Sequence, residues 1–257
     1  MGFLFQRRSV VRNRETVHAD VPELKDAEIS AAYYGERLGG DLYDFTRVSP
    51  DRVLFGMLDV AGRLEQNRDI VAAAQQTFRQ RGLALFASEE VNEADAMIEL
   101  CLELNRTVLQ AEGGVRSCPA FAGCYNESLG TICYFNAGHT PGLIADGSGV
   151  SELPATGLPL GLFSHATCDA PMTMLQPGAA LLLVSRGVVE GRCQGDEYGM
   201  TRLKQLLEQD GNADAKRLCS SVLDSVQRYM CAPPVHNDVT ALALVRRSAL
   251  SSAISQN

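Results

Sequence analysis

The sequence predicts an α+β layered domain, and three observations carry that prediction. Strand-like runs fall into two blocks, a pair of helical runs separates the blocks, and a second helix pair precedes one closing strand. A doubly wound parallel sheet would instead alternate single strands with single helices along the chain.

Taken in order, EISAAYYGE (28–36) and RVLFGMLDV (52–60) are short apolar runs, the second bounded by Pro50-Asp51 and Gly62. In RDIVAAAQQTFRQRGLALF (68–86), Ile70, Val71, Ala74, Phe78 and Leu85 recur near the helical period. Ala96, Met97, Leu100, Leu104 and Val108 mark one face of a second helix. FAGCYNE (121–127) and TICYFNA (131–137) flank Ser128-Leu129-Gly130 in a hairpin pattern. AALLLVS (179–185) follows the turn Gln176-Pro177-Gly178, and a continuous apolar run of that length suits a buried strand. GMTRLKQLLEQ (199–209) and AKRLCSSVLDSVQRYM (215–230) read as helices, and DVTALALV (238–245) closes as a strand.

At 257 residues, with 46% hydrophobic and 21% charged residues, the chain can bury a sizeable core. A net charge of −8 argues against nucleic-acid binding, which needs a basic face to neutralise phosphates. The eight cysteines are scattered, without a CxxC pair or zinc-ligand spacing, and read as free thiols of a cytoplasmic protein. MGFLFQRRSVVRNRE has an apolar stretch too short for a signal or an integral membrane segment. Residues 1–20 read as a basic N-terminal arm, residues 21–247 as one domain, and residues 248–257 as a polar tail.

Four segments carry candidate chemistry. In Gly39-Gly40-Asp41-Leu42-Tyr43-Asp44-Phe45, paired glycines let the backbone approach closely and aim Asp41 into a cleft; the plainer alternative is a β-turn with a surface Asp. In Leu58-Asp59-Val60-Ala61-Gly62, a carboxylate leaves a strand end into a Gly turn, where it could hold a hard cation or simply face solvent. Ser185-Arg186-Gly187-Val188-Val189-Glu190 leaves another strand end, and His236-Asn237-Asp238-Val239-Thr240 enters the last strand. Among the histidines, His139 in NAGHTP has a turn-stabilising hydrogen bond as its expected role.

Together with NAGHTPGLI (136–144), GLPLG (157–161) and YGMTRL (198–203), these ordered motifs resemble the SpoIIE/RsbU subgroup of PPM, type-2C-like serine/threonine phosphatases, over about residues 21–246. The resemblance implies a four-layer α/β/β/α sandwich with two central antiparallel sheets. It also implies a cleft in which Mn²⁺ or Mg²⁺ ions activate water against a phosphoserine or phosphothreonine. Asp41 and Asp59 match family metal-binding, catalytic-site carboxylates, and the Val60 carbonyl stands where the family offers a main-chain oxygen. The resemblance implies a phosphoprotein partner such as a STAS-type anti-anti-sigma protein, in a partner-switching setting.

Two residues depart from the family ligands. Arg186 stands where the family has an Asp, and Asn237 replaces the first carboxylate of the final motif; Arg63 replaces a usual His. Asp41 and Asp59 with Arg186 sum to −1, against −4 for the family's carboxylates. A guanidinium about 4 Å from a divalent ion costs on the order of 8 kcal/mol at an effective dielectric of about 20. Asp238 is expected to be a poor substitute, because neighbouring strand residues point to opposite faces. Arg186 is expected to bridge Asp59 and Asp41, the alternative being that it snorkels to solvent. Two functions stay open: a catalytically impaired domain serving as a regulatory binding module, with Mn or Mg binding weak or lost, and an active phosphatase with an altered metal site.

Overall fold

A computed structural model describes residues 21–34, 40–60, 64–111, 117–165, 167–210, 213–231 and 238–248. The expected arm (1–20), all but Ser248 of the expected tail, Arg63 and Asn237 lie outside the described residues.

The elements are β1 (Ala27–Tyr34), β2 (Gly40–Ser49), β3 (Arg52–Val60), α1 (Leu64–Phe86), α2 (Glu93–Gln110), β4 (Ala120–Asn126), β5 (Thr131–Ala137), β6 (Gly142–Asp146), β7 (Gly149–Leu153), β8 (Met172–Met174), β9 (Ala180–Val184), α3 (Arg186–Val189), β10 (Arg192–Cys193), β11 (Asp196–Glu197), α4 (Gly199–Asp210), α5 (Ala215–Tyr229) and β12 (Val239–Arg246). They form two five-stranded sheets, ordered β1-β12-β9-β6-β7 and β2-β3-β4-β5-β8, plus the small β10-β11 ribbon. Every pairing in them is antiparallel.

Strand periodicity divides the core into three layers. Along β3, Val53, Phe55 and Met57 face the sheet that contains β9 and β12, where they meet Leu181, Leu183, Leu242 and Leu244. The intervening Leu54, Leu58 and Val60 face the helices instead, packing with Ile70, Phe78, Met97, Leu100 and Leu104 of α1 and α2. On the other side, Leu182, Val184, Val239, Ala241 and Ala243 pack against Leu203, Leu207, Leu218, Val222 and Val226 of α4 and α5. Strands buried on both faces explain why β3, β9 and β12 read as continuous apolar runs. At roughly 1.5–3 kcal/mol for each fully buried Leu, Ile or Phe, these three seams supply the main drive for folding. The α/β/β/α sandwich expected from the resemblance is the observed architecture.

β2 was not legible as a strand because GDLYDFTRVS carries two aspartates at positions that turn out buried. Asp44 is tolerated there because Arg79 of α1 grips it with two nitrogens, Nε to Oδ2 at 2.6 Å and Nη2 to Oδ1 at 2.8 Å. Gln75 Nε2 adds a 3.1 Å bond to the same carboxylate, so the buried charge is paired and hydrogen-bonded and α1 is fastened to β2.

Candidate active-site cleft

The cleft lies at one end of the space between the sheets, where β2 begins, β3 ends, β9 ends and β12 begins. In the β2–β3 ladder Asp41 is the register partner of Asp59 and Gly40 that of Val60. Two like charges directly opposed across strands sit with Cβ atoms about 4.5–5.5 Å apart and repel one another. Both carboxylates occupy the face shared by Tyr43, Phe45 and Met57, so both point between the sheets rather than toward α1. Gly40 permits this local geometry: a Cβ there would collide with the Val60 carbonyl and Cβ.

The opposite wall comes from β9 and β12. Thr240 Oγ1 donates to Asp41 Oδ2 at 3.0 Å, and the Asp41 N–H donates to Asp238 Oδ2 at 3.2 Å. Ser185 Oγ donates to the Asp238 carbonyl at 2.8 Å and accepts from the Thr240 N–H at 2.9 Å, which fixes the entry of β12 against the exit of β9. The expectation that Asp238 would point away is therefore corrected. Leu242 and Leu244 face the sheet that contains β2 and β3 while Val239, Ala241 and Ala243 face the helices, so the period-2 rule carries Asp238 and Thr240 to the inter-sheet side.

Arg186, at the start of α3, places Nη2 3.3 Å from Asp59 Oδ2 and Nε 3.9 Å from Glu190 Oε1. The expected bridge between Asp59 and Asp41 is corrected accordingly: the guanidinium pairs with Asp59 and Glu190, while an Asp41 oxygen is taken by Thr240. The structure thus brings Asp41, Asp59 and Arg186 together, and Asn237 lies outside the described residues. The Val60 carbonyl is at the cleft edge, where the buried Asn67 side chain donates to it at 3.2 Å.

Electrostatics follow from this packing. Burial pushes the Asp41 carboxyl well above the usual carboxylate range, and the charges of Asp59 and Asp238 push it further. Burial likewise raises Asp59, with Arg186 opposing the shift and Asp238 and Glu190 adding to it. His139 is deeply buried and pushed down to about 4, mainly by burial, with the nearby Arg186 charge acting in the same direction. Its backbone N–H donates to Asn136 Oδ1 at 2.8 Å and Nδ1 lies 3.1 Å from the Thr140 carbonyl, in accord with a turn-stabilising role. Thr140 Oγ1 in turn donates to the Val184 carbonyl at the end of β9, and Nε2 is buried without a partner.

Counted as formal charges, Asp41, Asp59 and Asp238 against Arg186 sum to −2, one unit more negative than Asp41, Asp59 and Arg186 alone suggest. In this arrangement Asp59 is turned to Arg186, Asp41 to Thr240 and Asp238 to a backbone N–H. Among the described residues no group of three His, Cys, Asp or Glu side chains has metal-holding geometry. Ser185, Asp238 and Thr240 fall in segments the sequence marks as candidates but receive no cleft role there, and Asn67 is not marked at all; for Asp238 and Thr240, the alternation within DVTALALV is an available signal.

Two antiparallel sheets between helix pairs, with aspartates converging at the strand ends, define the PPM class of phosphatase folds. The chain belongs to the Stage II sporulation protein E (SpoIIE) family, whose profile matches residues 49–247. Asp41 precedes the matched range but is tied to it by the β2–β3 ladder. The phosphoserine phosphatase RsbU of Bacillus subtilis is 23% identical over 230 residues, covering 88% of this chain and 65% of that protein. The chain spans 20% to 65% of the length of the curated relatives it matches. Among solved structures, the RsbU and RsbW domains of Rv1364c from Mycobacterium tuberculosis align at a TM-score of 0.73 with 24% identity, covering 89% of this chain and 63% of that one. RsbX, solved in complex with magnesium, aligns at 0.63 with 13% identity, covering 88% and 98%. No helix among the described residues is long and apolar enough to cross a membrane.

Proposed function

We propose that this is a SpoIIE/RsbU-like phosphatase domain with a degraded metal site, spanning residues 21–247. In this reading it is catalytically impaired and acts in the cytoplasm as a regulatory binding module in phospho-dependent partner switching. Its partner is then a phosphoprotein such as a STAS-type anti-anti-sigma protein. The observation that carries the reading is the 3.3 Å ion pair between Arg186 and Asp59, which puts a fixed positive charge on the carboxylate that would otherwise hold Mn²⁺ or Mg²⁺. Asp41 and Asp59 remain as the family's site carboxylates, and the Val60 carbonyl as its main-chain oxygen. With Arg186 and Asn237 in place of acids, metal binding is weak.

One observation favours a second reading, an active phosphoserine/phosphothreonine phosphatase with an altered metal site. Asp238 adds a third carboxylate beside Asp41, and its charge helps to raise both Asp41 and Asp59. That reading requires Arg186 to release Asp59 before a metal can bind. Calorimetric titration of Mn²⁺ and Mg²⁺ into metal-free protein, with phosphatase assays on a phosphoserine peptide, separates the two. Absent or millimolar binding with no phosphate release supports the first; micromolar binding with turnover overturns it.

A further inference from the structure

The cysteines divide by environment. Cys101, Cys118, Cys124, Cys133 and Cys219 are buried, and Cys168 is half-buried. Burial pushes the thiols of Cys133 and Cys219 up to about 12, which makes them poor nucleophiles at neutral pH. Cys193 and Cys231 differ: Cys231 is exposed, Cys193 is half-buried, and the two are joined as a disulfide with Cα atoms 4.8 Å apart. That separation is within the range of about 4.4–6.8 Å that a disulfide spans without backbone movement. The reading of all eight cysteines as free thiols is corrected for this pair.

The approach of the two residues is built by other contacts as well. Cys193 ends β10 at a tight turn whose central residues, Gln194 and Gly195, both have positive φ, at 54° and 96°. That turn returns the chain into β11 and holds the ribbon against the end of α5. The Cys231 N–H donates to the Arg192 carbonyl at 3.4 Å, and the Tyr229 hydroxyl donates to the Glu197 carbonyl at 3.2 Å. Arg202 lies 4.7 Å over the Tyr229 ring and donates to the Glu197 carbonyl at 3.0 Å. These contacts do not involve sulfur, so they keep the thiols adjacent after reduction and let the bridge re-form.

Its placement gives the bridge a consequence. Cys193 follows Arg186 by seven residues, and Cys231 precedes Asp238 by seven. In sequence the disulfide therefore lies between the stretch that follows Arg186 and the stretch that precedes Asp238, and it closes a loop with a sequence separation of 38.

We propose that Cys193–Cys231 is a reversible thiol–disulfide exchange site that ties together the two segments bearing Arg186 and Asp238. In the oxidising direction the co-reactant is a low-molecular-weight disulfide such as oxidised glutathione. One cysteine thiolate attacks a glutathione sulfur, forming a mixed disulfide and releasing one glutathione thiolate. The second cysteine thiolate then attacks the protein-side sulfur, closing the Cys193–Cys231 bond and releasing the other glutathione thiolate. Two electrons pass from the cysteines to the glutathione disulfide, and the two cysteine protons end on the released thiols. Reduction is the reverse.

The test is a redox titration of the native full chain in glutathione buffers, with rapid alkylation and peptide mapping. A cross-linked Cys193–Cys231 peptide is expected to appear and disappear reversibly as one two-electron step, while the other six cysteines keep their alkylation pattern. Closing a loop of this size raises the melting temperature of the oxidised form by roughly 5–10 °C. Amide exchange in residues 186–197 is expected to rise about tenfold on reduction, with β3 unchanged, because the sulfur-free contacts alone hold the ribbon less tightly while keeping it docked. Cys193→Ser and Cys231→Ser should each lose the redox dependence of both readouts. Absence of the cross-linked peptide at every ratio, a bridge that thiols do not reduce in the native state, unchanged exchange at 186–197, or a redox-dependent shift that persists in either Ser variant would each overturn the proposal. The titration of the parent stands even if a Ser variant fails to fold.

Discussion

Replacing Arg186 tests the charge reasoning most directly. Its side chain is 46% exposed and that of Asp59 only 12%, so the pair is screened by solvent on one side only. Such a pair contributes about 1 kcal/mol, and losing it lowers the melting temperature of metal-free protein by roughly 2–4 °C. The effect on metal binding has the opposite sign and is larger. A positive charge held about 4 Å from a divalent ion costs between about 2 kcal/mol in bulk-water dielectric and about 8 kcal/mol at an effective dielectric of 20. The exposure of Arg186 argues for the lower figure, which corresponds to roughly 30-fold in affinity. Arg186→Ala should therefore bind Mn²⁺ about 30-fold more tightly than the parent, and Arg186→Asp, which brings the cleft to a charge of about −4, more tightly still. Metal stabilises the folded state in proportion to its affinity. The assay is thermal unfolding of parent, Arg186→Ala and Arg186→Asp across a Mn²⁺ series, with calorimetric affinities for the same samples. An equally strong Mn²⁺-dependent rise in the parent would show that Arg186 does not obstruct the cleft, and the degraded-site reading would fall.

Three further outcomes follow from the geometry. Because burial and two neighbouring carboxylates raise Asp41, its contribution to stability is present at low pH and lost as pH rises through its raised value. Asp41→Asn should accordingly raise the metal-free melting temperature at pH 7 and flatten its decline with rising pH, which scanning calorimetry at several pH values would check. His139 behaves oppositely: neutral in the fold down to about 4, it lets the unfolded chain bind a proton first, so stability falls as pH drops from about 6.5 to about 4. The loss amounts to about 3 kcal/mol over that window, and chemical denaturation of His139→Gln should show a correspondingly shallower slope there. Gly40→Ala drives a methyl group into the Val60 carbonyl and should cost about 1–3 kcal/mol, read as a lower urea midpoint with an unchanged m-value.

Most of the scaffold was legible because the strands and helices that build it carry clean periods. β3, β9 and β12 are apolar on both faces, and α2 and α5 place their apolar residues at helical spacing. What escaped was hidden by polarity or by brevity. β2 places Asp41 and Asp44 at buried positions, and only a partner on α1, 35 residues further on, makes Asp44 tolerable. β8, β10 and β11 have three residues or fewer, too few for any period to show. In the cleft, motif positions mark Asp41, Asp59 and Arg186, but the partners of Arg186 depend on how α3 leaves β9, which no local pattern encodes. Asp238 shares the face of Thr240, Leu242 and Leu244, a parity legible only from the apolar residues backwards and not from Asn237 forwards.

The hydrogen bond from Thr240 to Asp41 joins residues 199 positions apart, and each wall of the cleft belongs to a different sheet. Contacts so distant in sequence form only after the intervening chain has closed a very long loop, and they come late in folding. A chain with either sheet assembled alone has half a cleft and nothing to offer a ligand. Occupancy of the cleft is consequently a certificate of complete docking of the two sheets: a ligand bound there slows unfolding without assisting any early step, and misassembled chains are silent to it.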